Sequence, residues 1–183
     1  MVNILDGKIA RNSYKKALIE RSKQLAFRPK LALIQIGSNT ESTIYIEQKK
    51  KFAHDIHAEV EHITCKDASS YGEIEMIIQS YNIRNDIHGI ILQLPVPQHL
   101  DAYRLINIID PKKDVDGLTD VNQKLLANGT PHFIPATAKG VMSLLDFYSI
   151  SVSGKKAVVF GRSCLVGGPL ASLLKLKGAD VSV

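Results

Sequence analysis

Ser42, Tyr45 and Lys49 fall in the stretch STIYIEQKKK, three and four residues apart. On a helix that spacing brings a hydroxyl, an aromatic ring and an amine onto one face. Such a wall could bind a flat ring and move a proton. A solvated basic face is the other reading, since Lys50 and Lys51 follow directly. A lysine becomes a good proton donor and acceptor only where desolvation or a nearby cation brings its pKa to about 7–8.

Three further stretches could carry chemistry. In LQLPVP, Gln93 ends an apolar run before two prolines force the chain out of a sheet. The carboxyl ends of parallel strands are where open α/β sheets place ligands; alternatively, Gln93 caps loose backbone groups there. In KKDVDGL, Asp114 and Asp116 flank Val115 ahead of Gly117, as binding groups or as turn-formers. In VVFGRSCLVGGP, Gly161, Gly167 and Gly168 lie between a β-rich run and a helical one. A glycine turn in that context can present backbone N–H groups to a pyrophosphate, or simply connect strand to helix. Arg162 within it could meet a ribose 2′-phosphate or lie on the surface.

The elements that must position these residues follow from period. KIARNSYKKALIERSKQL has Ile9, Ala10, Ala17, Leu18 and Leu25 near helical spacing, and KLALIQIG is a compact buried strand ending at Gly37. A helix is expected over about 41–56, a strand at AEVEHITC, a helix capped by Ser69 or Ser70, and a third strand at HGIILQLP closed by Pro95. Alternating strands and helices predict a mainly parallel sheet covered on both faces. After PKKDVDGL come a short helix near DVNQKLLAN and a longer one over about 137–148. The remainder reads as strand, glycine turn, helix and second strand, the opening of a dinucleotide-binding βαβ unit. The fold expected is α/β: a three-layer catalytic domain over residues 1–148, then the start of a Rossmann-like domain over 149–183. Only two strands of the nucleotide domain are expected, the second being ADVSV, against about six in a complete one, which suggests a truncated or fragmentary chain or a second domain reduced to a remnant.

Composition narrows the function classes. In 183 residues, 23 Lys and Arg oppose 18 Asp and Glu, for a formal charge of +5 that favours encounter with anions. The cations are scattered and aromatics make up only 6%, which argues against nucleic acid. No run approaches the ~18 apolar residues of a membrane span, nor the core of a signal peptide, so a cytoplasmic protein is expected. Cys65 and Cys164 are far apart, without CxxC spacing, and are expected to be buried thiols. His54 and His57 sit three apart without a third ligand, so no metal is expected.

Together these motifs resemble the bifunctional methylenetetrahydrofolate dehydrogenase/cyclohydrolase family. The likeness is carried by LDGK at 5–8, SxxYxxxK at Ser42, Tyr45 and Lys49, QLPVP at 93–97, PKKDVDG at 111–117 and GRSxxVGxP at 161–169. It implies an NADP-dependent oxidation of methylenetetrahydrofolate, followed by hydrolysis of the methenyl product to formyltetrahydrofolate. By the same resemblance Lys49 would be the general acid/base, with Gln93 bonded to it. Tyr45 would stack on the folate ring, Asp116 would hold the pterin, and Ser42 would help position lysine and substrate. Gly161, Arg162, Ser163 and Gly167 would bind NADP. Tetrahydrofolate derivatives are the implied ligands and a homodimer the implied assembly.

Two positions depart from the family pattern: PATA at 135–138 stands for PCTP, and Lys124 stands where a glycine is common. Two other readings belong beside the family one. A non-catalytic, folate-binding remnant would keep the first domain and lose the redox half. A different NAD-linked oxidoreductase would share the architecture without needing Lys49.

Overall fold

The computed structural model describes residues 4–183. The chain divides into two compact units, Lys15–Val115 and Met1–Tyr14 with Asp116–Val183. The division falls within helix α1 (Gly7–Lys23). Its apolar stripe is weaker than its spacing predicts: Ala10 is buried, but Ile9 is largely exposed and Leu25 lies beyond the helix end.

The first unit is built on β1 (Lys30–Ile36), α2 (Thr40–Asp55), β2 (Glu59–Cys65), α3 (Tyr71–Asn82), β3 (Gly89–Leu92) and the short α4 (Ala102–Ile106). The strands run parallel in the order β2-β1-β3. Ala32, Leu33 and Ile34 of the central strand are fully buried, as expected where both faces of a sheet are covered. At the β1 exit, Gly37 adopts φ +75°, and a Cβ there would lie 2.5 Å from the Asp67 carboxylate. The left-handed backbone conformation calls for glycine there, and a Cβ would also require the exposed Asp67 carboxylate to move aside.

Helix α3 opens with a capping box. The Ser70 side chain accepts from the Glu73 N–H, and the Glu73 carboxylate accepts from the Ser70 N–H at 2.7 Å. At the other end of α3, Lys113 Nζ donates to the carbonyls of Tyr81, Asn82 and Arg84 at 3.2, 2.7 and 2.6 Å. The segment carrying that lysine then runs beside β3, where Ile90 N–H donates to Lys113 O at 2.7 Å. Sequence spacing places β3 as far as Pro95; it ends at Leu92, and the Leu94–Pro95 peptide is cis. Helix α4, absent from the sequence expectation, is one turn capped by Asp101.

The second unit comprises α5 (Asp120–Ala127), α6 (Ala136–Phe147), β4 (Lys156–Val158), α7 (Gly167–Leu176) and β5 (Asp180–Ser182). β4 and β5 pair in parallel through α7, which is the βαβ unit the sequence pattern predicts. Leu126, Ala138, Met142, Ala171 and Leu174 form its core. Burying each large aliphatic there stabilises by about 1.5–3 kcal/mol. Within this unit Tyr14 Oη donates to Ser143 O, and Tyr148 Oη accepts from the Asp6 N–H at 2.9 Å.

Cys65 is buried on β2 as expected, but Cys164 is exposed. The correction has a local cause: Cys164 sits in the glycine turn after β4, where 161–165 are all exposed.

Candidate functional site

Helix α2 starts where Asn39 caps it, its side chain accepting from the Ser42 N–H at 3.0 Å. Ser42, Ile46 and Ala53 form its buried stripe, recurring at four and seven residues. Tyr45 and Lys49 lie along the flank of that stripe. The Tyr45 ring is 61% exposed, free to receive a flat partner, and Lys49 is half-buried. Lys50 instead pairs with Glu47 at 2.7 Å, and Lys51 is exposed.

Lys49 reaches across 44 residues of sequence: its Nζ donates to Gln93 Oε1 at 3.0 Å. Gln93 is itself held at both ends. Its backbone N–H donates to Ile34 O at 2.8 Å, and its Nε2 donates to Leu94 O at 2.8 Å. Because the amide nitrogen is anchored on Leu94, the oxygen must face the lysine. A helix and a strand end thus converge on one ammonium group. An amine held this way can orient a water molecule or a ligand atom and exchange a proton with it.

Asp114 and Asp116 divide their roles. Asp114 is 1% exposed and forms a bridge with Ile90 beside β3, so it belongs to the framework. Asp116 is half-buried. The loop after it is fixed from two directions: Gly117 adopts φ +67°, and Gln123 Nε2 donates to Gly117 O at 2.7 Å.

In the second unit, the turn after β4 brings Gly167 against Gly161. A Cβ on Gly167 would lie 2.0 Å from Gly161 O, which no side chain could meet without backbone movement. Ser163 closes the turn, its Oγ accepting from Val166 N–H at 3.2 Å and its carbonyl from Gly168 N–H at 3.0 Å. Helix α7 then begins without a side-chain cap. Pro169 carries no N–H, and the Val166 and Gly168 N–H groups are taken by Ser163, which leaves the Gly167 N–H and the positive end of the helix dipole to face a phosphate. These residues fit a dinucleotide pyrophosphate. Arg162 is exposed and donates to Val183 O at 2.8 Å. No group of three or more metal-ligating side chains occurs among the described residues.

The motif likeness anticipated the Lys49–Gln93 pairing, which spacing alone does not show; the Lys113 clamp was missed, because it joins residues distant in the chain. Ser42 and Tyr45 needed only helical spacing, and the glycine turn only its context between strand and helix.

Such a chain has a parallel α/β unit with a lysine–glutamine pair at the strand ends, and a βαβ unit with a dinucleotide-type turn. This is the organisation of a nucleotide-linked α/β enzyme. Residues 5–116 match the family model of the tetrahydrofolate dehydrogenase/cyclohydrolase catalytic domain, and residues 135–183 that family's NAD(P)-binding domain. The chain belongs to the tetrahydrofolate dehydrogenase/cyclohydrolase family.

Among its relatives, Bifunctional protein FolD of Acholeplasma laidlawii is 39% identical over 98% of this chain and 65% of the relative. The same-named protein of Nitratidesulfovibrio vulgaris is 41% identical over 97% of this chain and 63% of the relative. The solved bifunctional FolD of Campylobacter jejuni superposes with a TM-score of 0.96 at 34% identity, covering 99% of this chain and 66% of that one. A Trypanosoma brucei FolD complexed with NADP cofactor and inhibitor has a TM-score of 0.92 at 31% identity, covering 100% of this chain and 63% of that one. The chain therefore spans just under two thirds of the length of these relatives.

Proposed function

We propose that this chain takes part in NADP-dependent oxidation of methylenetetrahydrofolate to methenyltetrahydrofolate and in hydrolysis of that product to formyltetrahydrofolate. The observation that carries the reading is the 3.0 Å bond from Lys49 to the anchored Gln93 amide. Family membership and the glycine turn support the redox half. Residues 1–148 would form the folate-binding domain and 149–183 the nucleotide-binding portion. As the family resemblance implies, two copies pair in the cytoplasm, a state that sedimentation of the purified chain reads directly.

In the hydrolytic step Lys49 acts as proton shuttle. One of its hydrogens is held on Gln93 Oε1, which leaves the rest of the amine to face a reacting water. Lys49 takes a proton from the water as its oxygen bonds to the methenyl carbon and returns it to the ring nitrogen as the carbon–nitrogen bond breaks, while the remaining hydroxyl proton leaves to solvent as the formyl carbonyl forms. Tyr45 binds the flat ring, and Ser42 helps set the lysine and substrate. Asp116 accepts hydrogen bonds from the pterin edge. Gly161, Arg162, Ser163 and Gly167 hold the nucleotide, whose nicotinamide supplies the hydride acceptor when bound. Orientation of two ligands against each other is the chain's contribution to that step.

The test is the decay of methenyltetrahydrofolate absorbance with the 183-residue chain and no NADP, corrected for spontaneous hydrolysis. The expected result is acceleration that Lys49→Ala abolishes while the circular dichroism spectrum stays unchanged. A folded wild-type chain with no acceleration, or an equally active Lys49→Ala, rejects the assignment.

A further inference from the structure

The carboxyl edge of the first unit's sheet carries a second amide that none of the roles above uses. Gln35 on β1 is 5% exposed, and its Oε1 lies 2.9 Å from Nε2 of His62 on β2. An amide oxygen only accepts, so the imidazole donates and its proton resides on Nε2. Burial, with Lys50 nearby, lowers the His62 pKa against a smaller opposing effect of Glu47, which extends the range over which the ring is the neutral donor.

Register places this pair beside the lysine site. Gln35 is level with Thr64 of β2. On its other side Ile34 pairs with Leu92, and Gln93 N–H continues the ladder by donating to Ile34 O. Gln93 is therefore level with Gln35. Residues level with each other in a parallel ladder send their side chains to the same face. Here that is the face over which Lys49 lies.

The strand order β2-β1-β3 supplies a direction. The oxygen of Gln35 is drawn toward β2 by His62, which leaves its amino group on the other branch of the planar amide. We propose that His62 and Gln35 form a positioning pair that holds a buried amide with its N–H end toward Gln93, restricting the rotamer from which Gln93 holds Lys49. The catalytic consequence rests on Lys49 being the acid/base of the function proposed above. Without the His62 donor the Gln35 amide can turn over. Its oxygen then faces the Gln93 side, where the acceptor that Lys49 uses also lies, and the two oxygens repel.

His62→Leu, His62→Gln and Gln35→Met in the full chain test this through two independent readouts, the side-chain amide NMR signals of Gln93 and the hydrolysis kinetics. His62→Leu and Gln35→Met are expected to shift or broaden the Gln93 signals and to lower kcat about tenfold, with KM changed less than about twofold. His62→Gln keeps an N–H donor and restores both. Gln93 signals unchanged in folded His62→Leu and Gln35→Met, even with a lowered melting temperature, would show a merely structural pair and overturn the proposal. A wild-type chain that does not hydrolyse substrate would sink the functional reading instead, and the amide signals would still decide the positioning role.

Discussion

Lys113→Met removes one ammonium group and leaves the aliphatic stem that packs beneath it. In the native chain that group donates to three carbonyls at the end of α3, two of them at 2.6 and 2.7 Å. Hydrogen bonds to charged groups contribute about 1.5–3 kcal/mol each net, so the two short ones sum to about 3–6 kcal/mol. Releasing the lysine side chain returns up to about 2 kcal/mol of rotamer entropy, and water can reach part of a helix end. The expected loss is about 2–3 kcal/mol. Urea unfolding followed by circular dichroism reads it, with Lys112→Met as control because Lys112 is exposed. Under the proposed function the same substitution should raise the KM for folate substrate, since Lys113 anchors the segment that leads into Asp116. A Lys113→Met midpoint within about 0.5 kcal/mol of the Lys112→Met value would refute the clamp.

Three further outcomes follow from particular contacts. Gly167→Ala forces a Cβ onto the Gly161 carbonyl; a loss of about 1–3 kcal/mol is expected from the overpacking, with NADP affinity reduced at least about tenfold in a fluorescence titration. Tyr81 is pushed up to about 12, first by burial and then by its hydrogen bond to Glu61. Its raised pKa means the folded state holds the proton more tightly, so this stability is complete below about pH 10 and is lost as pH rises toward the folded value. Tyr81→Phe should flatten the alkaline limb of the stability profile, and an unchanged limb would contradict the sign. Thiol titration should modify Cys164 quickly and Cys65 only on unfolding. The latter is buried, and its pKa is raised by that burial, with a further contribution from Glu73.

What the sequence made legible was local. KLALIQI, AEVEHITC and GIIL are β-rich apolar runs, and the serines at 69 and 70 mark the start of α3, which Ser70 caps. Helix α4 escaped because five residues are too few for a period, leaving Asp101 as its only signal. The exposure of Cys164 was hidden for a different reason: hydrophobic side-chain statistics favour burial, but a turn built around glycines carries its neighbours outward. The site divides in the same way. Helical spacing alone aligned Tyr45 and Lys49, whereas the motif likeness was needed to join Lys49 to Gln93. Nothing local marks Gln35, His62 or Lys113, whose roles depend on register and on a loop returning to α3.

Parallel topology explains why the polar side chains gather at one edge. All three strands of the first unit point the same way; Ile36 and Cys65 finish level, and Leu92 ends beside Ile34, two residues short of them. Helix α2 leaves that edge immediately after β1 and runs back over the sheet, so Ser42, Tyr45 and Lys49 sample successive turns from the edge inward. Seven residues from Ser42 to Lys49 span about 10 Å at 1.5 Å per residue. A ligand along this flank would therefore meet Tyr45 one turn before Lys49. Moving Lys49 by one residue would swing it about 100° around the helix, away from Gln93. The spacing of the motif is thus a requirement of helix geometry combined with a fixed strand end: Gln93 supplies the anchor, and the helix sets which residues can reach it.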